Sequence, residues 1–139
     1  MTFRLLVTGG QHYDETAHIR ATLDRIHAKR PITVLIHGNA GMVDREAASW
    51  AEAHEIEGRG YPANHAKSGR KAIGIRDAAM FTDGQPDGVA AFHGASVAIL
   101  GLAQAAGVKI MWIKPTDDYE LQVLAEGVLG GEMRTLGSG

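Results

Sequence analysis

The feature that most constrains this fold is a regular alternation of short apolar runs with longer segments of helical period. The run FRLLV is followed by AHIRATLDRIHAKR, and ITVLIH is followed by DREAASWAEAHE, with glycine or proline between the segments. Apolar runs that are nearly unbroken are typical of parallel strands covered by helices on both faces. The sequence therefore predicts a three-layer α/β domain with a mainly parallel sheet of about five strands.

The second half of the chain continues this alternation. Strands are predicted at GVAAF and VKIMWI, and a weaker strand near Ile56 to Tyr61. Helices are predicted from about Ser68 to Phe81, where Ser68 would be the cap, and from Ser96 to Ala106.

The domain is predicted to span residues 1–115. Residues 116–139 form a C-terminal extension in which Tyr119 to Val128 is a candidate short helix before a frayed Gly/Ser end.

Composition excludes several classes of function. The 14 basic and 16 acidic residues give a formal charge of -2, so a nucleic acid is not favoured as a partner. The absence of cysteine excludes disulfides, thiolate catalysis and cysteine-ligated metals. No apolar run is long enough to cross a membrane, and the start MTFRLLV lacks the features of a signal peptide, so a cytoplasmic location is expected.

Three glycine-containing loops follow predicted strands, and they are the main functional feature. They are TGGQHYD at Thr8 to Asp14, HGNAGMVD at His37 to Asp44, and HGAS at His93 to Ser96. In a parallel sheet these loops lie at the carboxyl edge, where ligands bind. Glycine lets the backbone approach a ligand, and the following helix offers free N–H groups that suit phosphate. The loops together predict a nucleotide or phosphorylated ligand.

Some polar side chains have competing interpretations. His12, His37 and His93 would lie at the same edge, but they lack the short spacing of a zinc motif, so no metal is expected. Asp44 is a candidate either for direct ligand contact or for capping the helix that follows. In ANHAKSGRKAIGIR, Arg76 is either part of a solvated helix face or a contact to phosphate.

The chain resembles the SLOG superfamily of Rossmann-like nucleotide-binding proteins, and within it the YspA-like branch related to the Lonely Guy phosphoribohydrolases. The resemblance lies in VTGGQHYD, HAKRPITVLIHGNAGMVDREAASWAEA, GIRDAAM and PDGVAAFHGASVAILGLAQAAGVKI, and covers about Phe3 to Ile113. It implies a Rossmann-like domain that binds a nucleotide at these loops.

The match is good in the first two motifs. Residues in agreement with the family pattern are Gly9, Gly10, Tyr13, Asp14, His37, Gly38, Ala40, Asp44 and Trp50. Gln11 and His12 replace Arg and Asp in the first loop, and Asn39, Gly41, Met42 and Val43 depart from the second.

The later motifs are less well kept. Arg76-Asp77 stands where the family has Arg-Asn, and the phosphate loop Pro-Gly-Gly-x-Gly-Thr is reduced to His93, Gly94 and Ala95. The Glu that Lonely Guy enzymes carry after that loop is missing. The resemblance therefore implies the fold and nucleotide contact, and leaves catalysis open.

The favoured function is binding of a nucleotide or nucleotide-derived small molecule, in a sensing or accessory role, by a homo-oligomer without a metal or cofactor. The residues expected at the site are Gly9, Gly10, Tyr13, Gly38, Asn39, Ala40, Asp44, Arg76, His93 and Gly94. An alternative is an enzyme that cleaves the N-glycosidic bond of a nucleoside 5'-monophosphate, with the carboxylate supplied by Asp44, by Asp77 or from across a dimer interface. A second alternative is a structural or assembly subunit with a vestigial pocket.

Overall fold

The computed structural model describes residues 2–116. Strands and helices alternate along this part of the chain in the predicted order. They are β1 (Arg4–Thr8), α1 (Thr16–Lys29), β2 (Val34–His37), α2 (Met42–Ala53), β3 (Glu57–Gly60), α3 (His65–Ser68), a single 3-10 turn (Gly69–Lys71), α4 (Ala72–Thr82), β4 (Gly88–Ala91), α5 (Val97–Ala105) and β5 (Lys109–Trp112).

The five strands form one sheet in the order β3-β2-β1-β4-β5, and every neighbouring pair is parallel. This confirms the predicted three-layer, Rossmann-like α/β fold. The chain builds outward from β1 to β2 and β3, and then crosses back to place β4 on the other side of β1. Loops at the carboxyl ends of β1 and β4 therefore diverge, which creates the crevice where ligands bind in sheets of this kind.

Alternate residues of the central strand explain the two helix layers. Leu5 and Val7 face a core that contains Ile19 and Leu23 of α1 together with Trp50 of α2. Leu6 faces the opposite core, which contains Met80 of α4 with Ile99 and Ala103 of α5. Burying each large apolar side chain contributes about 1.5 to 3 kcal/mol, so both layers hold the strand ends firmly in place. Trp50 lies fully within this core, since it is 1% exposed.

The helix predicted from about Ser68 to Phe81 is found as the 3-10 turn followed by α4, and only the capping role of Ser68 is a correction. Gly69 has φ of +55, which ends α3 and turns the chain before α4 begins. Ser68 makes no capping hydrogen bond through its side chain, whereas Asn64 accepts one from the N–H of Lys67 at the start of α3.

Two further predictions concern a C-terminal helix and helices that could span a membrane. The candidate helix at Tyr119 to Val128 lies outside the described residues. Within residues 2–116, no helix has the length and apolar character needed to cross a membrane.

Candidate functional site

A cavity of about 200 Å³ opens at the carboxyl edge of the sheet, between the end of β1 and the loops of its two neighbours. Three loops border it, which we name by the strand they follow: the β1 loop (Gly9–Glu15), the β2 loop (Gly38–Gly41) and the β4 loop (Phe92–Ser96). The lining residues are Val7, Thr8, Gly9, Gln11, Gly38, Ala40, Asp44, Arg76, Gly94, Ser96 and Ile99. The cavity therefore lies at the point where the sheet order reverses.

Asp44 is the acidic group of this cavity. It lies in the first turn of α2, is 8% exposed, and its Oδ2 accepts a hydrogen bond from the N–H of Ala40 at 3.0 Å. Burial raises the pKa of this carboxyl, and the backbone N–H groups of Ala40 and Gly38 and the charge of Arg76 oppose the rise only in part. Asp44 thus shapes the β2 loop and remains at the cavity wall as a carboxyl that is protonated more readily than an exposed aspartate.

Arg76 is the basic group of the cavity, and α4 places it above the β2 loop. Its Nε donates to Oδ1 of Asp77 at 2.7 Å, and its Nη1 donates to the carbonyl oxygen of Gly38 at 2.5 Å. The Arg76 and Asp77 side chains are only 10% and 2% exposed. These two bonds use two of the five N–H donors of a guanidinium, so the group is fixed in place and still has donors to offer.

Glycine is required at two positions of this cavity. A Cβ on Gly38 would lie 2.7 Å from Nη1 of Arg76 and 3.3 Å from Oδ2 of Asp44. A Cβ on Gly9 would lie 2.6 Å from Cγ2 of Val43. Any larger residue would displace the charged groups or the start of α2, so both glycines hold the cavity in its present shape.

The β4 loop closes the cavity on the other side. The N–H of Gly10 donates to the carbonyl oxygen of His93 at 2.8 Å, which ties the β1 loop to the β4 loop. Gly94 has φ of +81, and a Cβ there would lie 2.8 Å from Cα of Gly10. Ser96 caps α5 by accepting a hydrogen bond from the N–H of Ile99. Because the Gly10 N–H is already bonded, it is not available to a phosphate in this conformation.

A second cleft of about 360 Å³ adjoins the cavity at Gly94 and runs between the ends of β4 and β5. Its walls include His93 and the half-buried Ile113, and Trp112 lies at its margin with 66% of its surface exposed. The cavity is small and carries charged groups, whereas the cleft is wider and mainly apolar. Gly94 lines both of them, so the cavity and the cleft lie side by side at the carboxyl edge.

The structure brings together six of the ten residues expected at the site: Gly9, Gly38, Ala40, Asp44, Arg76 and Gly94 all line the cavity. His93 lines the neighbouring cleft, and Gly10 contributes the loop contact described above. Asn39 is exposed, has φ of +52, and donates its N–H to Nδ1 of His37. Tyr13 is buried among core residues, with its ring 6.4 Å from that of Phe92.

Five lining residues were not among those expected from the sequence: Val7, Thr8, Gln11, Ser96 and Ile99. Thr8, Gln11 and Ser96 belong to the loop motifs themselves, so a reading of every residue in those motifs would have included them. Ile99 lies one turn into α5 and has no feature in the sequence that separates it from other core residues.

The histidines do not form a metal site. Among the described residues there is no cluster of three or more side chains that could hold a metal ion. His37 lies against β3, where its Cε1 is 2.9 Å from the position a Cβ on Gly60 would take, and burial lowers its pKa. Its Nδ1 accepts a hydrogen bond from the backbone N–H of Asn39.

Comparisons with known proteins agree with this geometry. Residues 3–67 match the family model described as the YspA, cpYpsA-related SLOG family, a span that includes the β1 loop, the β2 loop and Asp44. A search of curated proteins and a search of solved structures found no significant match. Over residues 3–67, this chain is thus similar to the YspA, cpYpsA-related SLOG family.

Proposed function

We propose that the protein binds a nucleotide or nucleotide-derived small molecule at the carboxyl edge of its sheet, in a sensing or accessory role. The match of residues 3–67 to the SLOG family model supports a nucleotide-related ligand in general. The observation that carries the proposal is the placement of Asp44 and Arg76 in one cavity at the point where the sheet order reverses.

The chemistry of the cavity suits the polar part of such a ligand. Arg76 is held by Asp77 and Gly38, so its remaining donors are oriented before a ligand arrives. A carboxyl such as Asp44 accepts hydrogen bonds from sugar hydroxyls when ionised, and donates one to a phosphate oxygen when protonated. Its raised pKa lowers the charge repulsion that an anionic ligand would meet.

The sizes of the cavity and the cleft support a ligand with two parts. The cavity of about 200 Å³ suits a sugar or phosphate group, and the apolar cleft of about 360 Å³ beyond Gly94 suits a planar base. Exposed Trp112 at the margin of the cleft offers an aromatic face for stacking.

A thermal-shift screen with nucleoside monophosphates, ADP-ribose and dinucleotides tests the proposal. A ligand present at about 100 times its dissociation constant adds about 2.7 kcal/mol to the free energy of unfolding. Ala40→Leu, which places extra volume at the cavity wall, is expected to abolish the response. The matched control Ala98→Leu, on the exposed surface of α5, is expected to keep it.

The absence of stabilisation by any member of the panel would favour the structural or assembly role with a vestigial pocket. An equal response in Ala40→Leu and Ala98→Leu would move the ligand away from this cavity.

A second candidate is the phosphoribohydrolase-like activity, and one observation favours it. The reaction needs a carboxylate beside the bound sugar, and Asp44 lines the cavity whereas Asp77 is 2% exposed and paired with Arg76. Release of free base from a nucleoside 5'-monophosphate by the wild type, lost in Asp44→Asn with binding retained, would establish this activity. Binding without base release would leave the accessory role.

A further inference from the structure

The charged side chains in and directly behind the cavity do not favour an anion. Of the described residues that line the cavity, Arg76 is the only basic one and Asp44 is the only acidic one. Asp77 lies directly behind Arg76, where its Oδ1 accepts a hydrogen bond from Nε of Arg76 at 2.7 Å. One positive charge is therefore set against two carboxyl groups.

The pair formed by Arg76 and Asp77 presents little net charge to the cavity. The two side chains are only 10% and 2% exposed, so water and salt screen their mutual attraction weakly. The carboxylate of Asp77 offsets much of the attraction that the guanidinium would exert on a negative group beside it. Arg76 thus acts in the cavity as a set of hydrogen-bond donors more than as a positive charge.

Asp44 adds a second carboxyl close to the same guanidinium. A Cβ placed on Gly38 would lie 2.7 Å from Nη1 of Arg76 and 3.3 Å from Oδ2 of Asp44, so both groups flank one glycine. Burial raises the pKa of the Asp44 carboxyl, and the charge of Asp77 adds to the rise. A wall that disfavours the charge of one carboxylate disfavours a phosphate dianion more strongly.

Several backbone donors of the surrounding loops are already bonded within the protein. The N–H of Gly10 donates to a carbonyl oxygen of the β4 loop at 2.8 Å, and the N–H of Ala40 donates to Asp44 at 3.0 Å. The N–H of Met42, the first residue of α2, donates to the carbonyl oxygen of Gln11 at 3.0 Å. A phosphate that used these donors would have to break contacts that hold the loops together.

Sugar hydroxyl groups suit the same surroundings. A hydroxyl donates one hydrogen bond and accepts others, so it can donate to the carboxylate of Asp44 and accept from the remaining donors of Arg76. A carboxylate offers about four acceptor positions, and the bond from Ala40 uses one of those on Asp44. Hydrogen bonds to ionised groups are the strong ones, and here they form without burying a further charge.

We propose that the cavity selects the uncharged sugar of a nucleoside over the phosphate group of a nucleotide, and that Asp77 sets this preference by neutralising Arg76. The inference rests on the proposed function and narrows its ligand to an unphosphorylated nucleoside or a related ribosyl compound. Asp44 and Arg76 bind the sugar hydroxyl groups, and Asp77 is a positioning residue that acts through Arg76.

Calorimetric titration of the wild type with adenosine, guanosine, cytidine and uridine, each beside its 5'-monophosphate, tests the preference. The best nucleoside is expected to bind at least about tenfold more tightly than its monophosphate. A monophosphate that binds as tightly or more tightly would overturn this proposal and leave the proposed function in place. Binding of none of these compounds would also overturn it, and the thermal-shift screen with ADP-ribose and dinucleotides then decides separately on the proposed function.

The variant Asp77→Asn tests the role of the paired carboxylate. It removes the charge behind Arg76 and keeps an oxygen that can accept from Nε. The affinity for the monophosphate relative to the nucleoside is expected to rise about tenfold. The matched control Asp83→Asn changes the net charge equally at the other end of α4 and is expected to leave this ratio unchanged. Equal shifts in both variants, or no shift in Asp77→Asn, would overturn the proposal.

A sugar analogue keeps the proposal testable in the wild type even if Asp77→Asn fails to fold. The 2',3'-dideoxy form of the best nucleoside lacks the hydroxyl groups that Asp44 and Arg76 would bind. It is expected to bind at least about tenfold more weakly than the nucleoside itself. Equal affinities of the two compounds would show that the cavity does not hold the sugar, and would overturn the proposal.

Discussion

The same dipeptide, His-Gly, lies at the carboxyl ends of two parallel strands, β2 and β4, and its two environments are opposite. His37-Gly38 follows β2 and is buried, with Gly38 beneath Arg76 and the His37 ring against β3. His93-Gly94 follows β4 and is exposed, with its backbone tied to Gly10. The neighbouring elements, and not the dipeptide itself, determine this difference in burial. Helix α4 covers the β2 loop, whereas no described element covers the β4 loop in the same way.

The comparison teaches that the two sides of the cavity are held by different forces. Buried charges and closely packed glycines hold the β2 side. Backbone hydrogen bonds such as that from Gly10 to His93, the Ser96 cap and a left-handed glycine hold the β4 side. We expect the β2 side to control stability and the β4 side to tolerate change.

The largest expected effect comes from Arg76→Ala. Removing this partner leaves Asp77 buried and unpaired, so the free energy of unfolding should fall by about 3 to 5 kcal/mol. On the β4 side, His93→Ala at an exposed position should change it by less than about 0.5 kcal/mol. Chemical denaturation of both variants measures the difference, and losses of equal size would break the comparison.

A smaller effect is expected from Gly94→Ala. At φ of +81 an alanine is strained by about 1 to 2 kcal/mol, and its Cβ would press on Cα of Gly10. Gly101→Ala is the control, because Gly101 lies in α5 with open space around it and alanine there should add up to about 1 kcal/mol. A lower denaturation midpoint in Gly94→Ala and a higher one in Gly101→Ala, each relative to the wild type, would support this account of the β4 loop. An unchanged midpoint in Gly94→Ala would contradict it.

The pH dependence of stability should report the burial of His37. Its folded-state pKa is lowered below 6.5, so the unfolded chain takes up the proton first and stability is lost as pH falls below about 6.5. Protonation would also remove the acceptor for the N–H of Asn39. His37→Gln should flatten this part of the profile, measured by denaturation from pH 7.5 to 5. An unchanged slope would place the ring in solvent.

The smallest effect is expected at Asp44 and has the opposite sign. Its folded-state pKa is raised, so its contribution is fully present below the unfolded value of 3.8 and is lost as pH rises through the folded value. Asp44→Asn keeps an oxygen that can accept from Ala40, so its stability relative to the wild type should increase over that pH range. A variant that instead loses stability as pH rises would show that Asp44 is held in its charged form.

The sequence predicted the fold well because the controlling features are local. Nearly continuous apolar runs placed four strands, and the weaker strand near Ile56 to Tyr61 is found at Glu57–Gly60. The exception is the start of the helix predicted from Ser68, because Gly69 has a positive φ there and the helix begins with a 3-10 turn. A single positive φ is not visible in apolar periodicity.

The site was harder to predict because it depends on contacts between distant residues. The loops could be placed at one edge from strand order alone, but nothing in the spacing shows that Arg76 bonds the carbonyl of Gly38, thirty-eight residues earlier. Likewise Tyr13 matches the family motif and lies in the core, since the direction of a loop side chain depends on the packing around it. The sequence motifs identified candidate site residues, but the packing of the fold determines which of them line the cavity.

The position of β1 at the centre of the sheet has a consequence for how the protein is made. Leu5 pairs with Leu35 on one side and with Gly88 on the other, so the second pairing waits until most of the chain has left the ribosome. Pairing β1 with β4 closes a much longer loop than pairing β1 with β2, so the β1–β4 pairing is expected to form more slowly. A nascent chain that ends near residue 67 would therefore expose one edge of its central strand to other chains, and the recess between β1 and β4 would not yet exist.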